Sequence, residues 1–327
     1  MMRELLLVNY NIHVTEQVRI NGRDGFHDKY NYYFIISATN KEMILLEQAA
    51  LAYYLTEIGY KHTAIPIPTM GNKWFVEKDN QHYLVLKVEK IQDSSTLTHG
   101  QRMAEFHNKS AEYQYEPTEI SSYGQWKELW IKKITAYEQK IQLEMEGKSS
   151  SNKYYRLLVD MFPYIIGISE NAIQYIQESE TEKRFHKSDQ GVFTFHRYTN
   201  DLLQPIIWTD KLVYDHPSRD LAEYIRHHLL LDSVPINEMK QFLIDYQELR
   251  PLSVFSWRLL YARLVYPIHL FDFIEKGFNG ENVDEYYQDL KQLLKIQNRY
   301  ENRLSELFDL LDVDYKRYDF PIIKWLD

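Results

Sequence analysis

The spacing of apolar residues divides the chain in two. Up to about residue 92 they come in short alternating runs, the period-two pattern of half-buried strands. Beyond it they recur every three or four residues over long stretches, as on helix faces. Residues 5–37 carry strand signals broken by turns: Val18-Arg19-Ile20, then Asn21-Gly22 and Asp24-Gly25, then Tyr32-Tyr33-Phe34-Ile35-Ile36. Asn-Gly and Asp-Gly suit backbone with positive φ, so a hairpin is expected. Asn40 is placed to cap a helix over 41–60. Strands follow at 62–67, 73–76 and 83–88, the last two joined at Asp79-Asn80. Residues 1–92 thus read as a small antiparallel sheet with one helix, ending in a polar connector at 91–95.

The remainder, 93–327, reads as mostly helical. Leu97, Gly100, Ala104 and His107 share one helix face, and Trp126, Trp130, Ile134, Tyr137 and Ile141 share another. His107 reads as a packed histidine rather than a reactive one. A polar loop at 147–152 precedes a helix over 154–178, which Pro163 should interrupt. Further helices are expected at 221–231, 236–249 and 252–275, the last bent or broken by Pro267. Asn282 with Glu285 has capping-box spacing. It should open a helix of about 30 residues whose seam runs Tyr286, Leu290, Leu293, Tyr300, Leu304, Leu307 and Leu311, interrupted by Gln297.

Composition narrows the classes. A chain of 327 residues with 44% hydrophobic and 26% charged residues is ordinary for a globular protein of two lobes or domains. A net charge of -9 gives no global field for nucleic acid or anionic membranes. There is no cysteine, which removes disulfides, thiolate metal sites and thiol nucleophiles. No stretch has the roughly 18 apolar residues of a membrane span. The leucine run near the N-terminus is too short for a signal-peptide core, so synthesis in the cytoplasm is expected. The 27 tyrosines suit amphipathic positions at core edges, or alternatively an assembly surface.

Candidate chemistry lies in residues 191–222, GVFTFHRYTNDLLQPIIWTDKLVYDHPSRDLA. The segment reads as a strand, a His-Arg turn, an apolar strand ending at Trp208, an extended loop, and a helix opening at Ser218. After a small sheet with a helix, a connector and a helical lobe, this is the element order of a two-lobed, protein-kinase-like α+β fold. In such a lobe the first hairpin would cover nucleotide phosphates. Gly22 and Gly25 are its only glycines, short of a G-x-G-x-x-G cradle. Glu47 sits where a helix glutamate would pair a phosphate-binding lysine. The preceding strand has no lysine and Lys41 lies beyond it, so Glu47 reads as a solvated helix residue.

The segments GQRMAEFHNKS, FHRYTNDLL and VYDHPSRDLAEYIRHH resemble those of the aminoglycoside phosphotransferase and choline kinase superfamily. Within it they are most similar to the CotS-like family of spore-coat-associated proteins, in its YutH branch. The resemblance covers nearly the whole chain in element order. Active members of the superfamily carry H-G-D-x-x-x-x-N, whose Asp serves the substrate hydroxyl and whose Asn binds magnesium. Carried over, the His falls on His196, the Gly on Arg197, the Asp on Tyr198 and the Asn on Leu203. The magnesium-binding Asp of the second loop falls on Trp208, with Asp210 two residues further on. The D-P-x-x-D-L pattern falls on 216–221, and its final acid, Asp220, is by resemblance a structural acid. Tyrosine is a poor base at neutral pH, and leucine and tryptophan offer no oxygen to a hard cation.

The resemblance therefore implies a catalytically silent, kinase-like protein of the spore coat, made in the cytoplasm. It would have coat proteins as partners and need no cofactor. The alternative is a divergent small-molecule phosphotransferase using ATP and Mg, with Asp201 as base and Asp210, with Asp215, holding the metal. A third reading is a nucleotide-binding switch without turnover, with Arg197 or Lys211 holding phosphate.

Overall fold

The computed structural model describes residues 2–91, 95–146, 152–231, 235–279 and 283–318. They form two compact units, Met1–Ser121 with Gly191–Asp215, and Ser122–Gln190 with His216–Asp327. The 191–222 segment is thus shared between the units, and residues 95–121 pack with the sheet lobe.

The first unit opens with helix α1 (Met2–Tyr10), where strand signals were expected from residue 5. Its leucine run buries Leu5 and Leu6, and these two with Tyr10 pack on Tyr33, Val76 and Val85. Strands β1 (Glu16–Ile20), β2 (Arg23–His27) and β3 (Tyr32–Ser37) precede α2 (Glu42–Glu57). They are followed by β4 (Thr63–Ile67), β5 (Val76–Lys78), β6 (Gln81–Val88) and α3 (His99–Ser110). After the helical insertion the chain returns with β7 (Val192–Phe195), β8 (Ile207–Trp208) and β9 (Leu212–Asp215). The main sheet runs β1-β2-β3-β6-β4-β8 with β5 beside β6, and β7 pairs β9 separately. All pairs are antiparallel except β4 with β8, so the sheet is mixed.

Turn chemistry accounts for two hairpins. Asn21 and Gly22 lie at φ 51° and 75° between the paired Ile20 and Arg23, as a two-residue turn with matching twist requires. Asp79 and Asn80, at φ 51° and 57°, do the same between Lys78 and Gln81. Gly25 makes no turn. It lies inside β2 opposite Val18, and a Cβ there would sit 2.5 Å from the Phe34 ring. Close approach of that ring requires the glycine. Asn40 does not cap α2 either: it takes φ 61°, and Lys41 holds the cap position with no side-chain hydrogen bond. Helix α3 has a true capping box between Thr98 and Gln101.

The second unit holds α4 (Trp126–Glu146), α5 (Lys153–Ser179), α6 (Ser218–Leu230) and α7 (Ile236–Leu249). It continues with α8 (Val254–Val265), α9 (Ile268–Asn279), α10 (Val283–Ser305), α11 (Leu307–Leu310) and α12 (Tyr315–Tyr318). Helix α5 runs through Pro163 without the expected interruption. One backbone hydrogen bond is lost there, while Leu158, Met161, Phe162, Ile165 and Ile168 stay buried around it. Pro267 does separate two helices. The long helix ends at Ser305, and its Gln297 is buried, bonded to His269, Tyr164 and Glu301. Of the loop expected at 147–152 only Asn152 is described, capping α5 through its side chain, and the Asn282 cap lies outside the described residues. No described helix is long and apolar enough to cross a membrane.

Replacing Gly25 with alanine should destabilise the protein by roughly 1–3 kcal/mol through overpacking against Phe34. The measurement is a urea melt of Gly25→Ala beside the parent protein, read as a lower midpoint at unchanged slope.

Candidate functional site

The candidate residues from 191 to 215 all belong to the first unit. Strand β7 is buried throughout and is followed by His196, whose amide donates to the Lys211 carbonyl at 2.8 Å. The His196 side chain is exposed, and the Arg197 guanidinium donates to the His196 carbonyl at 2.8 Å. Tyr198 turns inward, 4% exposed. Its hydroxyl lies 2.5 Å from His99 Nε2, and its ring packs edge-on to Phe195. It fills space as an aromatic core residue would.

Asn200, in the left-handed region at φ 61°, opens a short turn over Asp201–Leu203. Asp201 is buried and fully engaged. It accepts from the Thr199 amide at 2.7 Å and hydroxyl at 3.2 Å, and from Lys211 Nζ at 2.6 Å. Leu203 is exposed and supplies no oxygen. Trp208 is 1% exposed, edge-on to Phe34 in the core of the main sheet.

Asp210 follows in the turn after β8, and Arg23 from the β1–β2 hairpin reaches it. One guanidinium nitrogen lies 2.8 and 2.9 Å from its two carboxylate oxygens. The same guanidinium sits 4.3 Å from the Trp208 ring, a cation–π contact. Beside it Asn21 donates to Gln204 at 2.5 Å. The hairpin expected to cover phosphates is thus fastened to the acid nearest the expected metal position. The fastening uses Arg23, next to Gly22 in sequence, and Gly25 serves only to admit Phe34.

Glu47 departs from expectation most. It is half-buried and bonded: it accepts from the Thr118 amide and hydroxyl, both at 2.9 Å, and from the amides of Glu119 and Ile120 at 2.8 and 3.0 Å. Burial opposes its ionisation, but these donors outweigh burial and hold its pKa below the ordinary glutamate value. Glu47, considered above as a lysine partner, clamps the 118–120 loop. Sequence reasoning had no means of pairing Glu47 with residues 71 to 73 positions away.

Asp215 is fully buried at the end of β9. Asp220 lies in the second unit, fully buried in the first turn of α6, where the helix dipole favours a negative charge. His107 is fully buried on α3. Among the described residues no group of three or more His, Cys, Asp or Glu side chains gathers as a metal site. A kinase-like site needs only two protein ligands, so the engagement of individual acids carries more weight. Leu203 and Trp208 offer no ligand atom, Asp201 is held by Lys211, and Asp210 by Arg23. In this arrangement Asp201 and Asp210 each already hold a cationic side chain.

Comparisons place the chain among known proteins. The family described as "Spore coat putative kinase YutH" matches residues 3–307. The endospore coat-associated protein YutH of Bacillus subtilis (strain 168) is 29% identical over 334 residues, covering 100% of this chain and 98% of that protein. Among solved structures, an aminoglycoside phosphotransferase from Alicyclobacillus acidocaldarius is similar with a TM-score of 0.62 at 11% identity, covering 95% of this chain and 97% of the other. A microcompartment-associated aminopropanol kinase reaches 0.58 at 9% identity, covering 95% and 98%. An AMP-bound spectinomycin phosphotransferase reaches 0.58 at 14%, covering 90% and 96%. At such identities the structures establish the fold alone, a two-lobed protein-kinase-like α+β architecture.

Two outcomes test this geometry. Glu47→Gln keeps the size and removes the charge, and should cost about 1–2 kcal/mol at neutral pH. Because the folded pKa is depressed, the stabilisation is present above the ordinary glutamate value, near 4.3, and is lost as pH falls through the folded pKa. Melts of Glu47→Gln and the parent should therefore converge in acid. A double-mutant cycle on Arg23→Ala and Asp210→Ala should give a coupling of about 0.5–1 kcal/mol, falling with salt. The low figure reflects side chains 26% and 25% exposed.

Proposed function

The chain belongs to the YutH family of spore-coat proteins, and from that premise we propose that it serves the coat as a kinase-like scaffold without transferring phosphate. The observation that carries this reading is the Arg23–Asp210 pair. In this reading the guanidinium takes up the carboxylate that a divalent cation would otherwise use. Lys211 engages the other available acid, Asp201, in the same way. A base must be free to take a proton and a metal ligand free to give up lone pairs. Losing both kinds of group removes several kcal/mol of transition-state stabilisation. In this reading the protein is made in the cytoplasm, ends in the spore coat, and binds other coat proteins through its surface.

A second reading has direct support from the comparisons, which favour it more than the first. The family description contains the word kinase, and the solved structures named above are phosphotransferases or a kinase. Here the chain would be a divergent small-molecule phosphotransferase, and Arg23 would have to release Asp210 when ATP and magnesium arrive. Asp201 would then act as base, with Asp210 and Asp215 toward the metal.

A thermal-shift titration with ATP, with and without magnesium, separates the readings. Ligand at about 100 times its Kd adds about 2.7 kcal/mol to stability, so millimolar nucleotide reveals even weak sites. No shift in either condition is the outcome expected here. A magnesium-dependent shift that disappears in Asp210→Asn would overturn the scaffold reading in favour of the enzyme. A shift indifferent to magnesium would point to a nucleotide-binding switch held by Arg197 or Lys211.

A further inference from the structure

We propose that a cavity built by the second unit alone binds a small, uncharged aromatic molecule. The cavity holds about 360 Å³, near the lower end of ligand pockets and ample for one or two fused rings. It lies where the start of α4, the end of α5 and the start of α8 meet. Tyr123, Trp126, Phe185 and Phe255 provide its ring surfaces, and Asp189 and His216 its polar side.

The polar side needs no ligand to be satisfied. The Ser218 amide donates to His216 Nδ1 at 3.1 Å, which leaves the proton on Nε2 to face Asp189 Oδ1 at 3.3 Å. That carboxylate also accepts from Ser253 Oγ at 2.8 Å, from Ser256 Oγ and from the His186 amide. Burial opposes its ionisation, yet the hydrogen bonds from His216, Ser256, His186 and Ser253 prevail and bring its pKa down to about 2. Around the imidazole, the Tyr123 ring lies nearly parallel, while Trp126 and Phe255 stand edge-on at 6.5 and 5.9 Å. What the cavity offers an occupant is therefore aromatic surface for stacked and edge-on contacts.

The charged groups around it are likewise matched. Glu182 is held by Arg184 at 2.7 Å and faces Arg258 at 3.8 Å, and Lys127 faces Glu180 at 3.7 Å. No ionic group here stands without a counter-charge or hydrogen bonds, so a charged ligand would enter a partly desolvated site without a partner, at a cost that a neutral ring avoids. Phe185 adds a second sign. Its large ring forms one wall of the cavity yet remains 62% exposed, which leaves it free to close over a bound ring.

This site is independent of whether the chain transfers phosphate. Its test is isothermal titration of the full chain with indole, tryptamine and indole-3-acetate, repeated on Phe185→Ala. Phe185 is exposed, so its truncation leaves the core intact, and a melting curve verifies that. Saturable indole binding is expected, weakened about fivefold in Phe185→Ala by loss of one ring contact. The two charged analogues should bind about tenfold more weakly than indole. Absence of saturable indole heat, equal affinity in Phe185→Ala, or charged analogues binding as tightly as indole would each overturn the assignment.

Discussion

A carboxylate withdrawn from water must be given a cation or several donors, and the first unit is arranged around meeting that need internally. Three acids are involved, each satisfied differently. Glu47 takes four hydrogen bonds from the 118–120 loop. Asp201 takes Lys211 and its own turn, and Asp210 takes Arg23. Two of the pairings tie segments distant in sequence, a helix to a loop and the first hairpin to the 191–215 return, while the Asp201 contacts tie that return to itself. Here they bond segments of the first unit to one another.

The aromatic replacements follow from the same constraint. Tyr198 and Trp208 are almost fully buried, and Trp208 joins the cluster that includes Phe34, Leu84, Leu86 and Ile206. Exchanging ionic groups for well-packed apolar ones is often neutral or stabilising, because desolvation no longer opposes folding. The fold itself tolerates such packing at these positions. The cation–π contact of Arg23 with Trp208 then helps keep the remaining ion pair in register.

Element order and turn chemistry were legible in the sequence because they depend on neighbours. Asn21-Gly22 and Asp79-Asn80 make the hairpins that their residues favour, and Pro267 divides two helices as its missing amide dictates. The misses have separate causes. Pro163 stays helical because buried neighbours hold the helix through it, Asn40 takes the left-handed conformation that asparagine favours instead of capping, and residues 2–10 follow the helix propensity of their Met, Arg, Glu and Leu residues. Gly25 looked like a turn signal, and only the position of Phe34 explains it.

The candidate site was half legible for a similar reason. Substitution at 198, 203 and 208 is visible by setting the chain beside the resembling superfamily. What the remaining acids do instead depends on who reaches them. Arg23 meets Asp210 across 187 positions, and Glu47 meets Thr118 across 71. No periodicity encodes such pairings. A missing catalytic residue in a sequence is therefore weaker grounds for silence than a present acid bound to the wrong partner. Loop movement can restore a lost position, but an acid bonded into the fold must first give up its partner before it can do chemistry.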